Sequence, residues 1–385
     1  MGTFRQVEAD ERARHQAIKD HVWGEGGLPD YDGPDDVPAS LGERWAYVVD
    51  GEFVAICTLM TPEVRLAGEW RPVGGIRGFV TPPEYRGRGY GPQLLEAAIA
   101  EFDDRGLTYS LLWPESIAYY RRHGWGLVNT ETAYTFPPEA MADPGRSGTI
   151  ERVGVDDLDR LEAVYTAYAS EYELAFRRTA RWWRERVLAD AWTYCYMPAD
   201  GNEAEGYVVY TIDRDAATLS VAELVAVTAR ARRQLLAFLD RHEPQVETVE
   251  WSCPDERRLL TEAADPDAVA ASIEPGGMGR LVDVATAIAS LPADRAPTAT
   301  VTIGVSDPLV AVNDAVFRVE PDLSCARVEA DPAVTVDVSV LSRLFAGPLS
   351  IQTAVAREAV TASDGALAAL EPVFQRRDVY VSDFF

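Results

Sequence analysis

The sequence predicts a mixed α/β (α+β) chain of three domains, the first two built to one plan. Three observations predict it. Gly78 to Ala100 reads as a strand, a glycine-rich turn and a helix. The order of strands and helices around that stretch recurs after residue 148, without the glycines. Composition then shifts at Gly276-Gly277, and a different order of elements follows. With 385 residues, a typical size of about 100–200 residues per domain also gives two or three domains.

Taken in order, residues 5–22 carry a moderate helical pattern that ends near Trp23. The loop Gly24 to Pro38 holds Asp30, Asp32, Asp35 and Asp36. It reads either as a solvated acidic loop or as one wall of an amine pocket. Trp45 to Val49 and Phe53 to Met60 flank Asp50-Gly51, a strong hairpin signal. Glu63 to Leu66 extends the second strand or begins another. Ile76 to Thr81 is the strand entering the glycine turn. Leu94 to Phe102 is the helix after it, with Leu94, Leu95, Ala98 and Phe102 on one face. Thr108 to Trp113 reads as a buried strand and Ser116 to His123 as a short helix. Gly124-Trp125-Gly126 then turns into a last strand, giving a first domain over residues 1–136.

Pro137 to Ser147 is the linker. Beyond it, Asp156 to Tyr172 and Thr179 to Leu188 read as helices, and Trp192 to Met197, Glu205 to Ile212 and Ser220 to Val227 as strands. Ala229 to His242 reads as a helix and Val246 to Trp251 as a strand. This second domain, residues 148–277, repeats the first domain's order, but its helix starts at Thr228-Ala229-Arg230 with no glycine turn. Trp182 and Trp183 read as core or interface and not as a functional aromatic pair. In residues 278–385 a strand runs into a helix from Arg280 to Leu291. Strands follow at Thr298 to Ser306, Asn313 to Val319, Cys325 to Glu329 and Val334 to Val338, with helices at Val340 to Phe345 and Asp364 to Phe374. No nucleophile–base constellation appears there.

Composition narrows the function classes. Lys and Arg number 36 against 62 Asp and Glu, a net charge of −26, and Lys19 is the only lysine. Nucleic acid is therefore excluded as a partner, because phosphate backbones would be repelled. The acidity fits either a halophilic protein working in molar salt, where charge is screened, or steering of a cationic substrate such as a polyamine. It runs through the whole chain, which favours the halophile. Met1 to Asp20 lacks the apolar run of a secretory signal, and no stretch has the ~20 apolar residues that cross a bilayer. Cys57, Cys195, Cys253 and Cys325 lie far apart. We therefore expect reduced thiols, no metal, no membrane and a cytoplasmic protein.

Arg86-Gly87-Arg88-Gly89-Tyr90-Gly91 is the chemically informative stretch. Glycines let backbone N–H groups face one concavity, and the helix beginning at about Gly91 adds unpaired N–H groups and a positive dipole end. Pro92 suits the first helical position, where a missing N–H costs nothing. Arg86 and Arg88 add charge. Together they form a pyrophosphate cradle. No Gly-Lys-Ser/Thr follows, so this is not a Walker loop, and the spacing is not the dinucleotide Gly-x-Gly-x-x-Gly.

Pro83-Glu84-Tyr85-Arg86-Gly87-Arg88-Gly89-Tyr90-Gly91 after a strand resembles the Gcn5-related N-acetyltransferase (GNAT) superfamily. The whole chain resembles that superfamily's Eis (enhanced intracellular survival) branch. The late residues carry this likeness: Arg280 to Ile288, Val305-Ser306-Asp307-Pro308-Leu309, Asp337 to Leu341, Ala366 to Leu370 and an aromatic C-terminus, with Tyr120 to Gly126 besides. The resemblance implies two GNAT-like domains, the second degenerate, and a sterol-carrier-protein-like C-terminal domain. It implies acetyl-CoA as co-substrate, an amine acceptor and a homo-oligomer, a hexamer in that family. The acceptor would be an aminoglycoside-like or polyamine molecule, or a lysine side chain. Main-chain groups of Phe79, Val80 and Thr81 would pair with the pantetheine arm, beside Arg86, Gly87, Arg88, Gly89 and Gly91. Tyr120 would be the general acid, since a phenol can protonate a thiolate as it leaves. Val73 to Val80 contains no acid, so the resemblance points to the terminal carboxylate of Phe385 as base. One departure stands out. The family often carries an acid just before the last residue, whereas this chain has Phe384 there and Asp383 one earlier. The alternative reading is a non-catalytic acyl-CoA or lipid binder that uses the sterol-carrier-like domain.

Overall fold

The computed structural model describes residues 2–24, 31, 33, 36–201, 203–242, 245–255 and 257–385. Asp30, Asp32 and Asp35 of the acidic loop lie outside the described residues. The chain divides into two compact units. One comprises the chain up to Val128, Gly277–Val379 and Asp383–Phe385; the other comprises Asn129–Gly276 and Tyr380–Ser382.

The first unit holds β1 (Thr3–Gln6), α1 (Arg12–Trp23), β2 (Glu43–Val49), β3 (Glu52–Met60), β4 (Gly74–Val80), α2 (Tyr90–Asp104), β5 (Tyr109–Leu112), α3 (Ile117–Arg121), β6 (Gly126–Leu127) and β7 (Met278–Leu281). Its seven-stranded sheet runs β1-β2-β3-β4-β5-β7-β6. The β2–β3 hairpin turns at Asp50 (φ 51°) and Gly51 (φ 81°), the paired left-handed conformation that Asp-Gly favours. Glu63–Leu66 is a strand of its own, paired with Glu69–Pro72. The predicted α2 face, Leu94, Leu95, Ala98 and Phe102, is buried against Ile76, Leu112 and Trp125. Each of the Leu and Phe side chains contributes about 1.5–3 kcal/mol.

Two readings of the first domain need correction. Residues 5 and 6 belong to a strand, with helix α1 starting only at Arg12. Four residues are too few to display a period, and pairing with β2 decides the conformation. The strand after Gly124-Trp125-Gly126 is only Gly126–Leu127. Thr130–Phe136 pairs instead with Thr248–Cys253 and Ala270–Pro275 in the second unit's sheet, while β7 fills the slot between β5 and β6. Alternating residues specify which face of a strand is buried, not which neighbour it joins.

The later part of the first unit is a five-stranded sheet with Val301–Ser306 at its centre. It is tied to the first sheet by a buried ion pair. Arg280 of β7 donates to Asp307 at 2.6 Å, both side chains fully buried. Arg280 also donates to the His123 carbonyl, 2.7 Å. Asp307 accepts from Asn313 and from the Leu309 and Val310 N–H groups.

The second unit has its own seven-stranded sheet. Trp182 and Trp183 are buried in it, as expected, and Trp183 meets Tyr165 edge-on at 5.5 Å. The helix expected over Thr179 to Leu188 is one α-helical turn, Ala180–Trp182, followed by a π-helical stretch, Trp183–Val187.

Two outcomes are expected. Arg280→Met leaves Asp307 charged and unpaired, which should destabilise the protein by about 3–5 kcal/mol, read as a shifted urea midpoint. His15, buried on α1, donates to the Cys57 carbonyl at 3.1 Å, and burial lowers its pKa from 6.5 to about 4. The folded state thus favours neutral His15. Its contribution is complete above pH 6.5 and is lost as pH falls towards 4, to a limit of about 3 kcal/mol. Unfolding curves of His15→Gln should show that much less acid sensitivity across this window.

Candidate active site

The site begins with a backbone divergence. Parallel strands β4 and β5 pair only at Gly74–Ser110, Gly75–Leu111 and Ile76–Leu112. Gly78, at φ 56°, bends β4 away where an L side chain would be strained. Beyond Ile76, β4 keeps β3 on one side and, among the described residues, pairs with no strand on the other. Its main-chain groups there face an open V.

A cleft of about 600 Å³ occupies that opening, lined by Phe79, Val80, Thr81, Arg86, Gly87, Gly89 and Gly91 among others. Gly87 and Gly89 have φ of 74° and 81°. The N–H groups of Gly87, Arg88 and Gly89 have no backbone acceptor among the described residues. Helix α2 starts at Tyr90, one residue earlier than expected, so Pro92 is its third residue, still within the turn whose N–H groups lack partners. Arg86 Nε donates to the Thr81 carbonyl at 3.0 Å, bracing the turn against the end of β4. Arg88 is not a lining residue; its guanidinium lies over the Tyr85 ring, 5.8 Å from the centroid.

A second cavity of about 510 Å³ shares Trp23, Phe79, Arg86, Glu115, Tyr119 and Arg122 with the cleft. Tyr120 lines this second cavity and not the cleft. Its ring meets Phe79 and Trp125 at 6.1 Å each. Burial, with Tyr119, Glu115 and Cys57 nearby, pushes its pKa well above the usual tyrosine value. The hydroxyl therefore stays protonated at neutral pH. Burial also lowers the pKa of His123 in the cleft, helped by Arg122 and Arg280, so that imidazole is neutral there.

The chain's end lies in this same unit. Asp383 and Phe385 are buried, while Phe384 is 66% exposed. The Phe385 ring packs against Gly75 of β4, where an added Cβ would stand 3.1 Å from it. Trp113, which lines the second cavity, donates its indole N–H to the Asp383 carbonyl at 3.0 Å. Phe385 itself lines neither cavity.

Four residues of the wall shared by both cavities escaped sequence reasoning. Glu115 and Trp23 line both cavities and meet each other, Trp23 Nε1 donating to Glu115 at 3.1 Å. Tyr119 and Arg122 also line both. The one available signal was Glu115 preceding Ser116, the cap of α3. Among the described residues no group of three or more His, Cys, Asp or Glu could hold a metal ion, and no helix is long and apolar enough to cross a membrane.

In the second unit, the helix Ala229–Leu239 occupies the place in the element order that α2 has in the first. Its start is filled by its own side chains. Thr228 caps it and donates to Glu205 at 2.8 Å, and Arg230 pairs with the same carboxylate at 2.9 Å. A carboxylate at that helix start opposes a phosphate.

Residues 7–128 and 174–281 each match an acetyltransferase (GNAT) domain model, and residues 284–382 match a sterol carrier protein domain. No curated protein matches the chain. Among solved structures, a probable N-acyltransferase of unknown function from Enterococcus faecalis is 21% identical with a TM-score of 0.83, over 99% of this chain and 100% of that one. A GCN5-related N-acetyltransferase from Anabaena variabilis is 18% identical with a TM-score of 0.82, over 100% of both chains. Eis1 from Mycobacterium abscessus is 25% identical with a TM-score of 0.78, again over 100% of both. The chain thus carries two GNAT domains followed by a sterol-carrier-like domain, which supports acyl transfer in general.

A Cβ added at Gly91 would stand 2.5 Å from the Tyr119 hydroxyl. Gly91→Ala should push Tyr119 from the cleft wall and weaken coenzyme A binding about tenfold, or ~1.4 kcal/mol, by calorimetry, with an unchanged circular dichroism spectrum.

Proposed function

We propose that the protein is an Eis-like N-acetyltransferase that moves an acetyl group from acetyl-CoA to an amine by direct attack. The observation that carries this reading is the V between β4 and β5. On the side of β4 away from β3, main-chain groups of Phe79, Val80 and Thr81 suit an extended pantetheine arm, apart from the Thr81 carbonyl that Arg86 already holds, and the glycine turn with Arg86 suits a pyrophosphate. Holding the thioester there makes attack effectively intramolecular, which can contribute several orders of magnitude in rate. The carboxylate at the matching helix start of the second unit leaves the first unit as the only acetyl-CoA site we assign.

The chain's residues divide the proton work. As the amine nitrogen bonds to the acetyl carbon and the C–S bond breaks, Tyr120 gives its proton to the departing thiolate. Its raised pKa keeps that proton available across the neutral range. The terminal carboxylate of Phe385 takes the proton that the amine loses, through water, since a free α-carboxylate has a pKa of only ~3.3–3.7. Burial of Phe385 against β4 and the bond from Trp113 to the Asp383 carbonyl support that role. Glu115 and Trp23, on the wall shared by both cavities, suit a cationic amine: one supplies charge and the other an aromatic face.

Thiol release from acetyl-CoA with a panel of polyamines, aminoglycosides and lysine peptides tests the reading. Tyr120→Phe should lower kcat by about 10²-fold or more. One residue added after Phe385 should also lower kcat, with little change in the KM for acetyl-CoA. Full kcat in the extended protein alongside a dead Tyr120→Phe would remove the carboxylate from the mechanism. Tight coenzyme A binding with no thiol release for any amine would favour the non-catalytic acyl-CoA binder.

A further inference from the structure

The second unit carries a cavity that acyl transfer does not use. Its volume is about 430 Å³, within the usual range for a small-molecule site. Strand alternation builds its floor. Trp192 and Tyr194 project from one face of the strand Trp192–Met197, and Tyr210 and Ile212 from the same face of the strand Gly206–Asp213, with Trp192 directly opposite Tyr210. Tyr194 and Tyr210 stack at 6.0 Å, and Phe238 closes on Tyr194 at 4.7 Å. The rim is open and aromatic: Trp192 is 42% exposed, its ring held from behind by the Arg152 guanidinium at 4.3 Å.

The charges are one-sided. Arg214 and Arg241 line the cavity, and no Asp or Glu lines it among the described residues. The Arg241 guanidinium lies over the Phe238 ring, 5.5 Å from its centroid, and neither arginine forms an ion pair with a carboxylate among the described residues. This contrasts with a chain holding 62 acidic side chains against 36 basic ones. His242 adds no third charge. Burial lowers the pKa of His242, so its imidazole is neutral; with Nδ1–H donating to the Leu239 carbonyl, Nε2 is left to accept from the Tyr210 hydroxyl at 2.9 Å.

We propose that this cavity binds a small planar aromatic anion, its ring stacked among Trp192, Tyr194 and Phe238 and its carboxylate or phosphate held by Arg214 and Arg241. Guanidinium forks suit both oxyanions. Stacking supplies the affinity that charge alone loses to salt. The site stands independently of the acyl-transfer reading, because its readout is binding in the second unit.

Calorimetry on the full chain with naphthoate and with adenosine monophosphate tests it. At least one should bind with a Kd below about 1 mM. Arg214→Gln and Arg241→Gln, both at exposed positions, should each weaken that binding about tenfold without altering the melting temperature. Cyclohexanecarboxylate should bind at least about tenfold more weakly than naphthoate, and naphthylmethylamine should not bind. Gly91→Ala should leave the binding intact, which separates this cavity from nucleotide binding at the first unit's cleft. Naphthoate alone would identify an aromatic carboxylate, adenosine monophosphate alone a nucleotide, and both the shared chemistry. Binding of neither probe, binding indifferent to both arginines, or equal binding of the amine would overturn the proposal.

Discussion

Two adjacent strands that pair over only three residues are the constraint from which the first unit's site follows. A parallel pair ordinarily satisfies its backbone along its length, and unpaired N–H and C=O groups away from water are costly. Here β4 bends at Gly78 and leaves that row open to a ligand. Everything else in the cleft is placed by where β4 ends. The turn braced by Arg86 on the Thr81 carbonyl follows at once, and α2 then starts with its N–H groups facing the same opening.

That divergence needs rigid walls. On the far side of β5 the wall is β7, contributed by residues 278–281 and pinned by the Arg280–Asp307 pair. The same guanidinium holds the His123 carbonyl just after α3, the helix that carries Tyr119 and Tyr120. A buried ion pair is weak evidence for net stability, but breaking it is expensive and its geometry is specific. It makes the later part of the first unit a structural member of the site, whether or not that part binds anything. The tail works the same way: Trp113 and Gly75 fix Asp383 and Phe385 beside β4.

Much of this was legible in the sequence, for local reasons. Asp50-Gly51 dictates its hairpin, and the spacing of Leu94, Leu95, Ala98 and Phe102 dictates the buried face of α2. The glycines at 87, 89 and 91 dictate where a chain can approach a ligand. What stayed hidden was non-local. Nothing in the pattern of Thr130–Phe136 or Met278–Leu281 says that they belong to different sheets. Glu115 and Trp23 lie 92 positions apart, and only the fold brings them together. Arg88 reads like Arg86 in sequence, yet one stacks on Tyr85 while the other lines the cleft.

The central claim is that one unit of this chain, and only one, is built to hold the acyl carrier. Calorimetric titration of the intact protein with acetyl-CoA measures it directly through the stoichiometry. The account predicts one molecule bound per chain, in a site that competes with free coenzyme A. Two molecules per chain would mean that the helix start guarded by Glu205 also binds, and none would mean that the V between β4 and β5 is not a carrier site.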